Sequence, residues 1–305
     1  MRESRSWTVT ADDGVRLQAE LWPSGRPSAP LVLGLHGITA NRLAFLPLID
    51  ELGDEVDFLS LDARGRGLSD KPAEPAAYGH RRNAEDAVAV LADLGRGADV
   101  VVGQSMGAWV GLQLAAHHPD LVGALVLGDG GYFLDLPADV EPDDYVDGVM
   151  GAGWRERLTA TVPSQELLFA ALQQVPPFRD SWGPGLEQML AAGLEEAPGG
   201  GVRNRCALVA AATDAVDYFL PRERPYVKAD LAAVGCPVHL VRAPRGFDIS
   251  PDTQAPLLSD EAVEAFTRDL PQLVVETVPD TNHYTVNFGA AGVTVLAEAV
   301  RKAVR

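Results

Sequence analysis

The chain has 305 residues, 47% of them hydrophobic, which is ample for a packed interior and too apolar for a disordered chain. Its 43 acidic against 25 basic side chains give a formal net charge of −18, which repels phosphate backbones and anionic lipid surfaces within a Debye length. Nucleic acid and membranes are therefore not expected partners, and the charge reads as a solvated acidic surface.

In chain order, the opening "MRESRSWTVTADDG" is charged and lacks the apolar core of a secretory leader, and no later stretch of membrane-spanning length is apolar throughout. A cytoplasmic protein is expected. The segment "RSWTVTADDGVRLQAELW" predicts two strands joined by a turn at Asp13-Gly14, an antiparallel hairpin on a sheet edge. Short apolar runs follow at 30–37 ("PLVLGLHG"), 56–62, 99–105 ("DVVVGQS"), 121–129 ("LVGALVLGD"), 236–243 ("CPVHLVRA") and 272–280, each with the look of a buried parallel strand. Helical patterns lie between most of them, at 83–95, 106–119, 259–270 and 290–304. The alternation predicts an α/β fold with a doubly wound, mostly parallel sheet. Between about 130 and 231 it gives way to helical runs separated by Pro and Gly, with no strand signal. The expected organisation is a core of 1–130 and 232–305 with a mostly helical insertion at 131–231. Cys206 and Cys236 have no CxxC spacing and no nearby histidine pair, so neither a disulfide framework nor a metal site is expected, and both read as buried thiols.

The chemistry centres on Gly103-Gln104-Ser105-Met106-Gly107, which joins a predicted strand to a predicted helix. A tight turn there projects the serine above the sheet, and the small residues on either side relieve the crowding that the turn creates. Thirty glycines can produce this pattern by chance, but the strand before it and the helix after it set it apart from an ordinary turn. A serine hydroxyl needs a base. Of six histidines, His36 and His239 belong to strands, His80 precedes a helix, and His117 and His118 end one, all positions with structural readings. His283, in "VPDTNHYTVNFG", follows the last predicted strand in a loop that can reach the carboxyl edge of the sheet, and it comes after the serine in the hydrolase chain order. The Ile38 and Met106 amides are the candidate oxyanion donors, Ile38 in the turn after "LGLHG" and Met106 at the start of the helix.

"LHG" (35–37), "DARGRGLSD" (62–70), "GQSMG" (103–107) and "NHY" (282–284) together resemble the motifs of the α/β-hydrolase superfamily, in the group with a helical cap after the sixth strand. The resemblance spans nearly the whole chain and is specific for fold and nucleophile but not for substrate. It assigns "DARGRGLSD" to a structural loop in which Asp62 and Arg64 brace the active-site edge. A dinucleotide loop does not fit, because Asp70 stands where the third glycine belongs. Most of the family carries the acid after the seventh strand, which nominates Asp248, whereas some relatives place it after the sixth, which nominates Asp129. The usual short turn before Asp248 is missing, and two glycines follow Asp129, so Asp129 is favoured with Asp248 as the alternative.

Trp154, Phe169, Phe178, Trp182, Tyr218 and Phe219 fall in the insertion, where each can line an apolar pocket or form cap core. Trp109 is expected to pack behind the nucleophile. The resulting expectation is a cofactor-free serine hydrolase acting on a small to medium, largely apolar ester, lactone or thioester through an acyl-enzyme. The alternatives are acyl transfer, cyclisation or carbon–carbon cleavage on the same fold, and a non-catalytic ligand receptor. Oligomeric state is left open.

Overall fold

The hairpin predicted around Asp13-Gly14 is present: β1 (Arg5–Thr10) pairs antiparallel with β2 (Arg16–Trp22), and Gly14 turns the chain at φ +86°. The structure is a computed structural model that describes residues 2–132, 139–217, 226–246 and 255–305. From β2 the chain continues through β3 (Leu31–Leu35), α1 (Leu46–Leu52), β4 (Asp57–Leu61), α2 (His80–Leu94), β5 (Ala98–Gln104), α3 (Met106–His117) and β6 (Val122–Gly128). After β6 come α4 (Pro142–Met150), α5 (Trp154–Thr159), α6 (Gln165–Leu172), α7 (Pro176–Arg179) and α8 (Pro184–Ala192), then β7 (Leu194–Glu196), β8 (Val202–Asn204) and α9 (Leu208–Asp217). The last stretch holds α10 (Tyr226–Ala233), β9 (Val238–Arg242), α11 (Asp260–Asp269), β10 (Leu273–Thr277), α12 (Thr285–Phe288) and α13 (Ala290–Ala303).

The main sheet has eight strands in the order β1-β2-β4-β3-β5-β6-β9-β10. β2 runs antiparallel to both its neighbours, and every other pair is parallel. The α/β, doubly wound, mostly parallel expectation therefore stands. Period-two geometry explains the continuous apolar runs. Leu31, Leu33 and Leu35 of β3 face one helical layer while Val32 faces the other; Val101 of β5 and its neighbours Val100 and Val102 divide the same way. Strand order reverses at β3/β5, since β4 lies on one side of β3 and β5 on the other. That reversal opens a crevice at the carboxyl ends of the strands, where doubly wound sheets bind ligands.

The region after β6 is mostly helical but adds a feature for which the sequence carries no strand signal: β7 and β8 form an antiparallel hairpin extended by a bridge between Val162 and Val202. Its strands, "LEE" and "VRN", are three residues each and carry no alternating apolar pattern. Gly199, Gly200 and Gly201 close the turn at positive φ. Cys206 is a buried free thiol, as expected, but Cys236 is only half-buried, since it lies in the bend leading into β9. No helix among the described residues is long and apolar enough to cross a membrane.

Candidate active site

Ser105 stands between the last residue of β5 and the first of α3, with φ +52° and ψ −118°. A conformation this unfavourable for an L-residue persists only where its surroundings enforce it. The flanking glycines make it sterically possible. A Cβ on Gly103 would lie 2.3 Å from the Gly107 carbonyl oxygen, and one on Gly107 would lie 1.8 Å from the Leu35 carbonyl oxygen. Glycine at both positions lets α3 start directly against the ends of β3 and β5. Gly130 gives the same freedom from the β6 side, where a Cβ would come within 2.5 Å of the Ser105 carbonyl oxygen and 2.7 Å of the Trp109 ring. Trp109 is thus packed behind the serine turn, in the core.

Asp129 follows β6 and is itself at φ +48°, fully buried. Its amide donates to Val241 O at 2.9 Å, and its Oδ1 accepts the Ala243 amide at 3.0 Å, so β9 holds it from both ends. Its Oδ2 lies 2.7 Å from Nδ1 of His283, which is 6% exposed. That pairing fixes the tautomer of a neutral imidazole, with the proton on Nδ1 and a lone pair on Nε2. Asp248 lies outside the described residues.

Ile38 lies in the turn after β3, and Met106 opens α3, whose first N–H groups have no partner within the helix. Two contacts that the sequence reading did not anticipate set the Ile38 turn. The Gln104 side chain accepts the Gly37 amide at 2.9 Å, and Arg66 Nε donates to Ile38 O at 2.9 Å. Arg66 also reaches Met106 Sδ at 3.8 Å and Asp214 of α9 at 2.5 Å, with both charged groups fully buried. A lone polar residue ending a buried strand was a sequence signal for Gln104. None existed for Asp214, 148 residues from its arginine.

The remaining motif residues are structural. His36 is buried and neutral: Nδ1 donates to Gly37 O at 2.7 Å, Nε2 accepts the Ala63 amide at 3.0 Å, and burial pushes its pKa down to about 4. Asp62 accepts from the Arg42 and Leu68 amides and pairs with the Arg42 guanidinium at 3.0 Å, while Arg64 forms a two-pronged pair with buried Asp86 at 2.7 Å. Both brace the loop after β4. His80, His117, His118 and His239 pair with Asp217, Asp230, Glu85 and Glu276, away from Ser105. No group of three or more metal-type side chains converges among the described residues.

Ser105 and His283 line one cavity of about 320 Å³, together with Ile38, Gln104 and residues of the segment between β6 and β9. Of the aromatic residues singled out there, Phe178 lines the cavity and packs on Tyr284 with ring centroids 4.5 Å apart. Trp154 is core of the helical segment, and Phe169 and Trp182 pack edge to face at 5.5 Å, away from the cavity; Tyr218 and Phe219 lie outside the described residues.

The sheet order and the turn that carries Ser105 define an α/β hydrolase, and a family model for the alpha/beta hydrolase fold matches residues 30–165. The chain belongs to the α/β-hydrolase fold superfamily and is a hydrolase of that fold. Lipase LipV of Mycobacterium tuberculosis is 31% identical over 224 residues, covering 72% of this chain and 76% of its own. A 2-(acetamidomethylene)succinate hydrolase of Mesorhizobium japonicum is 28% identical over 277 residues, covering 88% and 87%. The crystal structure of E-2-(acetamidomethylene)succinate hydrolase aligns at a TM-score of 0.75 with 25% identity, covering 99% of each chain.

Proposed function

We propose that the protein is a serine hydrolase that cleaves a small to medium, largely apolar carboxylic ester, lactone or thioester through an acyl-enzyme. The observation that carries this reading is the buried 2.7 Å contact between Asp129 and His283 beside the cavity that Ser105 shares. With Nδ1 donating to the carboxylate, Nε2 is the basic nitrogen. It takes the Ser105 proton as Oγ attacks the carbonyl, then returns that proton to the leaving alcohol or thiol. The Ile38 and Met106 amides stabilise the tetrahedral oxyanion, and Asp129 stabilises the imidazolium while staying ionised. Water activated by the same histidine then releases the acid. The segment 131–231 acts as the cap that limits what reaches Ser105, and its apolar contributions, Val162, Leu168 and Leu172 among them, favour a hydrocarbon-rich substrate.

The test is Ser105→Ala. Turnover of a short-chain para-nitrophenyl ester and labelling by a fluorophosphonate probe should both vanish while the circular dichroism spectrum is retained. Labelling that persists in the variant places the nucleophile elsewhere and ends the assignment.

A further inference from the structure

Two arginines, Arg157 and Arg203, line the cavity that holds Ser105 and His283, and no Asp or Glu does among the described residues, although the chain carries 43 acidic side chains. The two cations differ. Arg203 is ion-paired with Glu195 at 2.8 Å, a carboxylate that it shares with Arg205 at 3.4 Å. Arg157, on α5, forms no ion pair with a described carboxylate; its guanidinium donates to the backbone carbonyls of Met150 (3.3 Å), Gly151 (3.5 Å) and Ala152. Those carbonyls orient the group without cancelling its charge, and its Nε makes no hydrogen bond to a described residue. Tyr284, also in the wall, adds no anion, because burial pushes its phenol up to about 12.

We infer that Arg157 is a specificity-determining residue that receives a carboxylate on the substrate, so that the preferred substrates are acyl compounds bearing one carboxylate at the end remote from the scissile bond. This rests on the function proposed above and narrows it. A guanidinium with no carboxylate partner among the described residues matches one carboxylate, and its Nε–H, which no described residue uses, is a charge-assisted donor for it. The same cavity is also lined by Val162, Leu168, Leu172 and Phe178, apolar side chains that suit a hydrocarbon linker between the carboxylate and the reacting carbonyl. A cationic pocket in a protein of net charge −18 also opposes the repulsion that an anionic substrate meets at the outer surface.

The probes are mono-para-nitrophenyl glutarate and para-nitrophenyl pentanoate, which differ in carrying a carboxylate or a methyl group at the chain end. The readout is the ratio of kcat/KM for the charged ester to that for the neutral one, which cancels any loss of folded protein. Arg157→Gln should lower the ratio by about tenfold, the effect expected of losing one charge-assisted contact, and Arg157→Glu should lower it further. A ratio unchanged or raised in Arg157→Gln overturns the inference. The same comparison is made by calorimetric binding of both esters to Ser105→Ala and to the Ser105→Ala/Arg157→Gln double variant, where a preference for the glutarate that survives the arginine change also overturns it. Failure of the hydrolase reading shows separately, as absence of fluorophosphonate labelling in the wild-type protein, and the binding ratio still decides the role of Arg157.

Discussion

Ser105 and Asp129 occupy matching positions on adjacent parallel strands, each immediately past the strand end and each with φ near +50°. The observed values are +52° and +48°, and Gln104 and Gly128, the residues before them, are paired in the β5–β6 register. The Ser105 amide donates to Gly128 O at 2.9 Å, so the two turns are tied to each other. Two side chains in a conformation that favours glycine are thereby lifted off the same sheet edge.

The Asp129 carboxylate should govern rate rather than fold. Asp129→Asn keeps the shape and an acceptor for the Ala243 amide but favours the wrong imidazole tautomer, so kcat should fall by about 10⁴-fold with KM little changed. Asp248→Asn should leave kcat within about threefold of wild type, well short of the loss that accompanies removal of a triad acid. Steady-state kinetics on the two variants decide between the carboxylates, and a larger loss in Asp248→Asn reverses the assignment.

Two helical glycines should respond to alanine in opposite directions. Gly107→Ala drives a Cβ into the Leu35 carbonyl oxygen, a backbone atom that cannot yield, and should cost more than about 3 kcal/mol in urea unfolding or prevent folding. Gly148, in α4, has nothing within 4 Å of the added Cβ, so alanine there should stabilise by about 0.5–1 kcal/mol through helix propensity. Equal effects at the two sites would contradict the close approach of α3 to β3.

The Arg66–Asp214 pair should behave as a coupled unit. Arg66→Met or Asp214→Asn alone leaves a buried group without its partner and should cost on the order of 3 kcal/mol. Arg66→Met/Asp214→Asn should cost much less than the sum of the single changes. Additive losses in a double-mutant cycle would show that the two residues act independently.

His36 should make stability depend on pH. Its folded pKa, about 4, lies below the ordinary value of 6.5, so the unfolded chain binds the proton first as pH falls. The contribution is complete above pH 6.5, declines as pH drops toward about 4 and levels off below, a loss on the order of 3 kcal/mol. Unfolding free energies of wild type and His36→Gln, measured from pH 7 to 4.5, should differ in slope; parallel curves would rule out His36 as a source.

Much of the fold was legible because its signals are local. Apolar runs gave β3, β5, β6 and β9, the Asp13-Gly14 turn gave the edge hairpin, and a strand, a glycine-bracketed serine and a helix gave the turn at Ser105. The β7–β8 hairpin escaped because three-residue strands carry too little pattern, and α1 escaped because two turns of helix carry hardly more. Trp154, Phe169 and Trp182 read the same in sequence as Phe178, yet only Phe178 reaches the cavity.

The sequence by itself determined the alternation of strand and helix, hence the parallel sheet, and with it the placement of Ser105 after β5 and of His283 after the last strand. Tertiary structure alone decided that the Asp129 carboxylate meets His283 across 154 residues, that Arg66 meets Asp214, and that Arg157 lines the cavity with no ion pair to a described carboxylate. The physical reason is range: periodicity and turn sterics act over a few residues and leave a mark in the chain. A pairing between distant side chains is set by how sheet and helices pack, and no local pattern records it.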